Sequence, residues 1–185
     1  MNKSQFRLLI RRATDAIGQS EVYVIGSQAI HAVLPDDEPP AIISMSREAD
    51  MFPPRDDASG LVASLLEALT GVGSELDIEE GIYVDTVDPT TATLPSGWQS
   101  RVLRVAAGGQ PPAWGLCPEP NDLCVSKLAR AEEKDLEFVD TVVGLGLADV
   151  RTIRSRLEET DLPEIKRTRV DSYMDWLAKK RPLDQ

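Results

Sequence analysis

The sequence predicts an α/β (α+β) protein, a small mixed sheet flanked by helices and followed by a helical C-terminal region. Three observations point there. The run "EVYVIG" reads as a strand through its Val, Tyr and Ile content and leads directly into "SQAIHAVL", a helix-forming segment capped by Ser27. "GIYVDTV" and "WQSRVLRVAA" read as further strands after an intervening helical pattern. From Pro118 the texture changes to long helix-forming segments. The expected division is an α/β core over residues 1–117 and a helical region over residues 118–185 packed on it.

In chain order, residues 3–17 place Phe6, Leu9, Ile10, Ala13 and Ile17 at three- and four-residue steps, an amphipathic helix that Gly18 ends. Arg7, Arg11 and Arg12 crowd one side of it. After the first strand and helix, "PDDEPP" is a polar loop, and "AIISMSREADMF" reads as extended chain ending at Pro53-Pro54. A helix is expected at about Ser59 to Leu69, a turn at "GVGSE", and a short extra strand at "GLCP". The segment from Pro118 to Glu159 reads as helical with a break near Gly144 and Gly146, and "PEIKRTRVDSYMDWLAKK" as a final helix. No repeat or low-complexity tract interrupts this order.

With 185 residues, 42% hydrophobic and 28% charged, the chain suits one compact domain, or a domain with a small appendage. No apolar run approaches the roughly 20 residues of a bilayer span, and "MNKSQFRLLIRRATDA" mixes charge into its apolar stretch, unlike a signal peptide. A cytoplasmic protein with no membrane partner is expected. Cys117 and Cys124 lack a ligand spacing and His31 is the only histidine, which argues against zinc and for reduced core thiols. His31 follows Ser27 by four residues, but no acidic orienter for a hydrolase is evident. Trp98, Trp114 and Trp176 are too scattered for a base-stacking platform, so packing is favoured.

The formal net charge of −11 argues against a general nucleic-acid coat. Residues 151–185 nevertheless carry nine Lys and Arg against seven Asp and Glu, which fits either a basic face or a solvated helix surface.

A strand that ends in Gly26-Ser27 and turns into a helix aims backbone N–H groups outward, and the absent glycine side chain lets a phosphate approach. The same turn also arises for packing alone. Glu48 and Asp50, two apart on an expected strand, project from one face and can share a divalent cation, Mg²⁺ or Mn²⁺; otherwise they are a solvated edge. Asp85 on a neighbouring strand is the candidate third carboxylate, able to bridge a second ion. Lys127, Arg130 and Lys134 recur at helical spacing, either as a phosphate-facing stripe or as part of a salt-bridged surface over Leu123, Val125, Leu128, Leu136 and Val139.

"VIGSQAI" followed by "SREADMF" resembles the nucleotidyltransferase superfamily pattern of strand, Gly-Gly or Gly-Ser, helix and spaced acidic pair. "NDLCVSKLARAEEKDLEFV" resembles the Lys-Leu and Lys-Asp-Leu signature of nucleotidyltransferase-like domains related to AbiEii-type and MenT-type toxins of bacterial toxin–antitoxin systems. Together these blocks cover roughly residues 20 to 140. The resemblance implies that Gly26, Ser27 and Ser46 help hold a nucleoside triphosphate, that Glu48 and Asp50 bind the metal, and that Lys127 contacts phosphate. Asp135 would act near the incoming nucleophile or hold the lysine. It further implies transfer of a nucleoside monophosphate to an acceptor hydroxyl, with the tRNA 3′ end as acceptor and an antitoxin as partner if the toxin resemblance extends that far. Two departures stand out: Glu48 occupies a position where the pattern usually has Asp, and Ser44 and Met45 stand where relatives often carry Arg before the serine. A catalytically silent binding or regulatory module, or a transferase for a protein or small-molecule acceptor, is the alternative.

Overall fold

The computed structural model describes residues 1–35 and 39–181, so the acidic middle of the expected loop "PDDEPP", residues 36–38, lies outside the described residues. The chain forms two compact units, Met1–Thr91 with Val102–Pro118, and Ala92–Arg101 with the chain from Glu119 onward.

The first unit begins with α1 (Lys3–Ile17). Its start is fixed by a reciprocal cap in which Gln5 N donates to Asn2 Oδ1 at 2.9 Å and Asn2 N donates to Gln5 Oε1 at 3.0 Å. Gly18 ends it at φ 63°. Strand β1 (Glu21–Ile25) follows, then a 3-10 helix over Ser27–Ala32, a single helical turn α2 (Ala41–Ser44) and β2 (Glu48–Phe52). Next come α3 (Leu61–Thr70), α4 (Glu75–Glu80) and β3 (Tyr83–Thr86), and after the excursion into the second unit β4 (Leu103–Ala106) and β5 (Trp114–Cys117).

These strands make one mixed sheet in the order β3-β2-β1-β5-β4. β1 runs antiparallel to β2 and parallel to β5, and β2 runs parallel to β3. Strand alternation gives the sheet two unlike faces. One carries Val22, Val24, Ala49, Met51 and Val84, all buried, with α1 packed closely on it. Gly115 permits that approach, since a Cβ there would lie 2.6 Å from Ile10 Cδ1. The opposite face carries Glu48, Asp50, Tyr83 and Asp85.

The second unit is helical: a 3-10 turn at Trp98–Arg101, α5 (Pro120–Arg130), α6 (Glu133–Gly144), α7 (Val150–Glu158) and α8 (Glu164–Lys180). Its interior includes Leu123, Leu128, Phe138, Val142, Ile153, Met174 and Leu177. Arg154 pairs with Asp175 at 2.6 Å and Lys180 with Asp140 at 2.7 Å, and Arg167 donates to Thr160 O. Much of the C-terminal basic surplus is thus engaged within the unit.

Several local expectations need correction. The segment after Gly26 is a 3-10 helix, the tighter form common in short connectors, with Gly26 itself in the N-cap position and no side-chain cap from Ser27. Ala41–Ser44 is helical where extended chain was expected; Pro40 starts the turn, its carbonyl accepting from Ile43 N and Ser44 N. "GVGSE" leads into α4, which Ser74 caps by accepting from Asp77 N at 3.3 Å. Trp98–Arg101 is helical, so the expected strand there begins only at Leu103. Ala131 adopts a left-handed φ of 57° and separates α5 from α6, which puts Lys134 on a different helix from Lys127 and Arg130 and dissolves the single cationic stripe. Trp176 is half-exposed on α8, its ring 5.4 Å from that of Tyr173 and 4.7 Å beneath Lys180 Nζ, so it packs at the surface and not in the core.

Candidate active site

The Gly-Ser turn and the acidic pair meet on the sheet. Ile25, the last residue of β1, is in register with Asp50, so the turn leaves the sheet beside that carboxylate. A Cβ at residue 26 would overlap Asp50 Oδ2 and lie 2.9 Å from its Cγ, and Gly26 also has φ 73°. Glycine is required on both counts, steric and conformational. Ser27 is half-buried at the first position of the 3-10 helix. The next residue, Gln28, is buried and donates to Ile43 O at 2.8 Å, tying the turn to α2.

Glu48 and Asp50 share one face of β2. Opposite Glu48 stands Tyr83, whose hydroxyl donates to Glu48 Oε2 at 2.7 Å. That hydrogen bond, chiefly, raises the tyrosine pKa. Asp85 is in register with Asp50. Its pKa is raised, first by burial and then by the charges of Glu48 and Glu67. Ser46 turns its hydroxyl into the backbone, donating to Glu48 O at 3.0 Å and accepting from Glu48 N at 3.3 Å, which fixes the entry of the chain into β2.

The donor set fits a hard divalent cation with few protein ligands. Two carboxylates on one face, beside a turn that keeps its backbone open, match the way Mg²⁺ takes one or two carboxylates and completes its shell with water and substrate phosphate. Among the described residues no group of three or more His, Cys, Asp or Glu is arranged to hold an ion, so Asp85 lies alongside the pair without closing a three-ligand set.

Lys127 and Asp135 come together in the second unit. Asp135 is 1% exposed; Arg130 Nε donates to its Oδ2 at 2.7 Å and Arg130 Nη2 to its Oδ1, and Glu132 N adds a third donor. Lys127 Nζ lies 3.9 Å from Asp135 Oδ1 and 5.4 Å from the Phe138 ring centroid. Burial pushes the Asp135 pKa up, but Arg130, Lys127 and the Glu132 amide outweigh it and hold the carboxyl below its usual range.

His31 is buried against Phe6, with ring centroids 5.1 Å apart, and burial followed by the Met1 ammonium pushes its pKa down to about 4. It is a packed neutral ring. Both cysteines are buried free thiols whose pKa burial raises.

A family model described as "Nucleotidyltransferase of unknown function (DUF6036)" matches residues 6–181, nearly the whole chain. The chain belongs to this nucleotidyltransferase family. The match spans both units, including the Gly-Ser turn, the acidic strand and the Lys127 and Asp135 helices. No curated protein and no solved structure matches the chain. The mixed sheet with flanking helices is consistent with a nucleotidyltransferase-like fold. No helix among the described residues is long and apolar enough to cross a membrane.

Tyr83 and Gln28 are the site residues that sequence reasoning missed; Arg130, expected in a cationic stripe, instead clamps Asp135. Tyr83 precedes Asp85 by two, so the strand that places the aspartate on the acidic face places the tyrosine there too.

Proposed function

We propose that this family member transfers a nucleoside monophosphate from a nucleoside triphosphate to an acceptor hydroxyl, with Mg²⁺ or Mn²⁺ held by Glu48 and Asp50. The observation that carries the reading is the fit of Asp50 into the space that Gly26 leaves, with Glu48 on the same face. The ion would neutralise phosphate charge when bound. Gly26 and Ser27 would hold the triphosphate through backbone N–H groups, Ser46 would keep β2 in place, and Asp85 would add to the negative field that attracts a cation. In the second unit Asp135 holds Lys127, whose ammonium is the phosphate contact that the superfamily resemblance implies. Catalysis of this kind is positioning and charge neutralisation.

The acceptor we favour is the 3′ end of tRNA, with the protein acting as the toxin of a toxin–antitoxin pair; this rests on the resemblance of "NDLCVSKLARAEEKDLEFV" to such toxins. A second reading, a silent module or a transferase for a protein or small-molecule acceptor, draws on Glu48 in the usual Asp position and its engagement by Tyr83. The test is incubation with each α-labelled nucleoside triphosphate, Mg²⁺ or Mn²⁺ and total tRNA beside Asp50→Ala. Label in tRNA that Asp50→Ala loses is the expected outcome; full transfer by Asp50→Ala would overturn the site. Label in the protein fraction alone would move the acceptor to a protein.

A further inference from the structure

We infer that the outer face of α3, with α4 beyond it, is a docking surface for a basic amphipathic helix of a partner protein. Of the nine exposed large apolar side chains among the described residues, five fall within residues 61–78: Leu61 (56% exposed), Leu65 (40%), Leu69 (54%), Val72 (71%) and Ile78 (76%). Leu61, Leu65 and Leu69 recur every four residues on α3 and form one stripe. The buried contacts of the helix run through Leu66 and Thr70, each one residue beyond a stripe leucine and so on the adjoining face, which leaves the row itself turned outward. Scattered exposed leucines are ordinary, but a contiguous row of this kind marks an interaction surface.

Charge decides the occupant. Residues 56–100 contain nine Asp and Glu and no Lys, Arg or His. Asp56 and Asp57 sit at the start of α3, where Asp56 accepts from Val62 N and Ala63 N, while Glu75, Glu79 and Glu80 are exposed on α4. Arg47 reaches in to pair with Asp77 at 2.7 Å. An apolar row with acid at both ends is complementary to a helix carrying leucines on one face and lysine or arginine around them. A second copy of this chain would bring like charge against like, and nucleic acid or an anionic membrane would be repelled.

The test uses the full chain and a fluorescent, lysine-rich amphipathic peptide with leucines at helical spacing, beside its glutamate counterpart and phosphatidylserine vesicles. Saturable binding of the lysine peptide alone is expected, weakening with salt, and Leu65→Gln with Leu69→Gln should cut the affinity by about tenfold or more. Thermal melting of that variant should match the parent, since both leucines are exposed. Glu79→Lys with Glu80→Lys, away from the stripe, should weaken binding and flatten its salt dependence. Equal binding of the glutamate peptide, capture by the vesicles, affinity indifferent to the leucine changes, or self-association that those changes abolish would each overturn the inference.

Discussion

Asp122 and Asp135 in the helical unit are buried, and an arginine grips each through two hydrogen bonds, whereas Glu48 and Asp85 on the sheet are exposed and meet a tyrosine hydroxyl and each other's charge. Arg101 holds Asp122 at 2.8 and 3.1 Å, with Arg156 3.7 Å away. A buried carboxylate is tolerated only when its charge is matched inside the fold. One left in a field of like charge raises the energy of the empty site and lowers it again when a cation arrives. The first pattern holds helices together; the second is what a cation-dependent site requires.

The sharpest way to break this contrast is to remove one cation from the helical unit. Arg101→Ala would strand the fully buried Asp122 with Arg156 alone, and the expected loss of stability is about 3 kcal/mol, read by urea denaturation. On the sheet the same measurement should run the other way: Glu48→Gln removes a repulsive neighbour of Asp85 and leaves stability equal or slightly higher. A comparable loss at both positions would show that the sheet carboxylates are also structural.

A smaller effect is expected at the point where the acidic face meets the turn. Gly26→Ala adds a Cβ on top of the Asp50 carboxylate and asks alanine to keep φ 73°, a cost of about 1–3 kcal/mol. Moving the Asp50 side chain relieves the overlap, so the variant should lose cation binding by calorimetry well before it loses its cooperative melt. Retained cation binding in Gly26→Ala would separate the turn from the acidic pair.

How much of this was legible follows from which interactions are local. The alternation in "EVYVIG" and "SREADMF" places Glu48 and Asp50 on a common face, and helical spacing marks α1, because both are fixed by backbone periodicity within a few residues. The adjacency of Gly26 and Asp50 depends on the antiparallel register of β1 with β2, which periodicity does not specify. The break at Ala131 was hidden since alanine is the strongest helix former and sits there in a left-handed conformation. That break turns Arg130 towards Asp135 and converts an expected cationic stripe into a clamp. The helix at Glu75–Glu80 did carry its signal, a capping Ser74 three residues before Asp77 and a terminal Gly81, but a turn reading of the glycines absorbed it.

Tyr83→Phe is the gentlest probe of the same contrast. The hydroxyl lies at an exposed position, so its removal should alter stability by no more than about 0.5 kcal/mol. What it does hold is the direction of Glu48: a carboxylate that accepts at 2.7 Å from a fixed donor presents its other oxygen in a defined place. Outer partners of ion-binding carboxylates typically set affinity by about 10-fold or more, and the concentration of Mg²⁺ for half-maximal nucleotide transfer should rise accordingly in Tyr83→Phe. The comparison sharpens if Tyr83→Phe changes the cation requirement while Arg101→Ala changes only the melt. An unchanged cation requirement would make Tyr83 a surface contact of the strand, and orientation of Glu48 would then have to come from β2 alone.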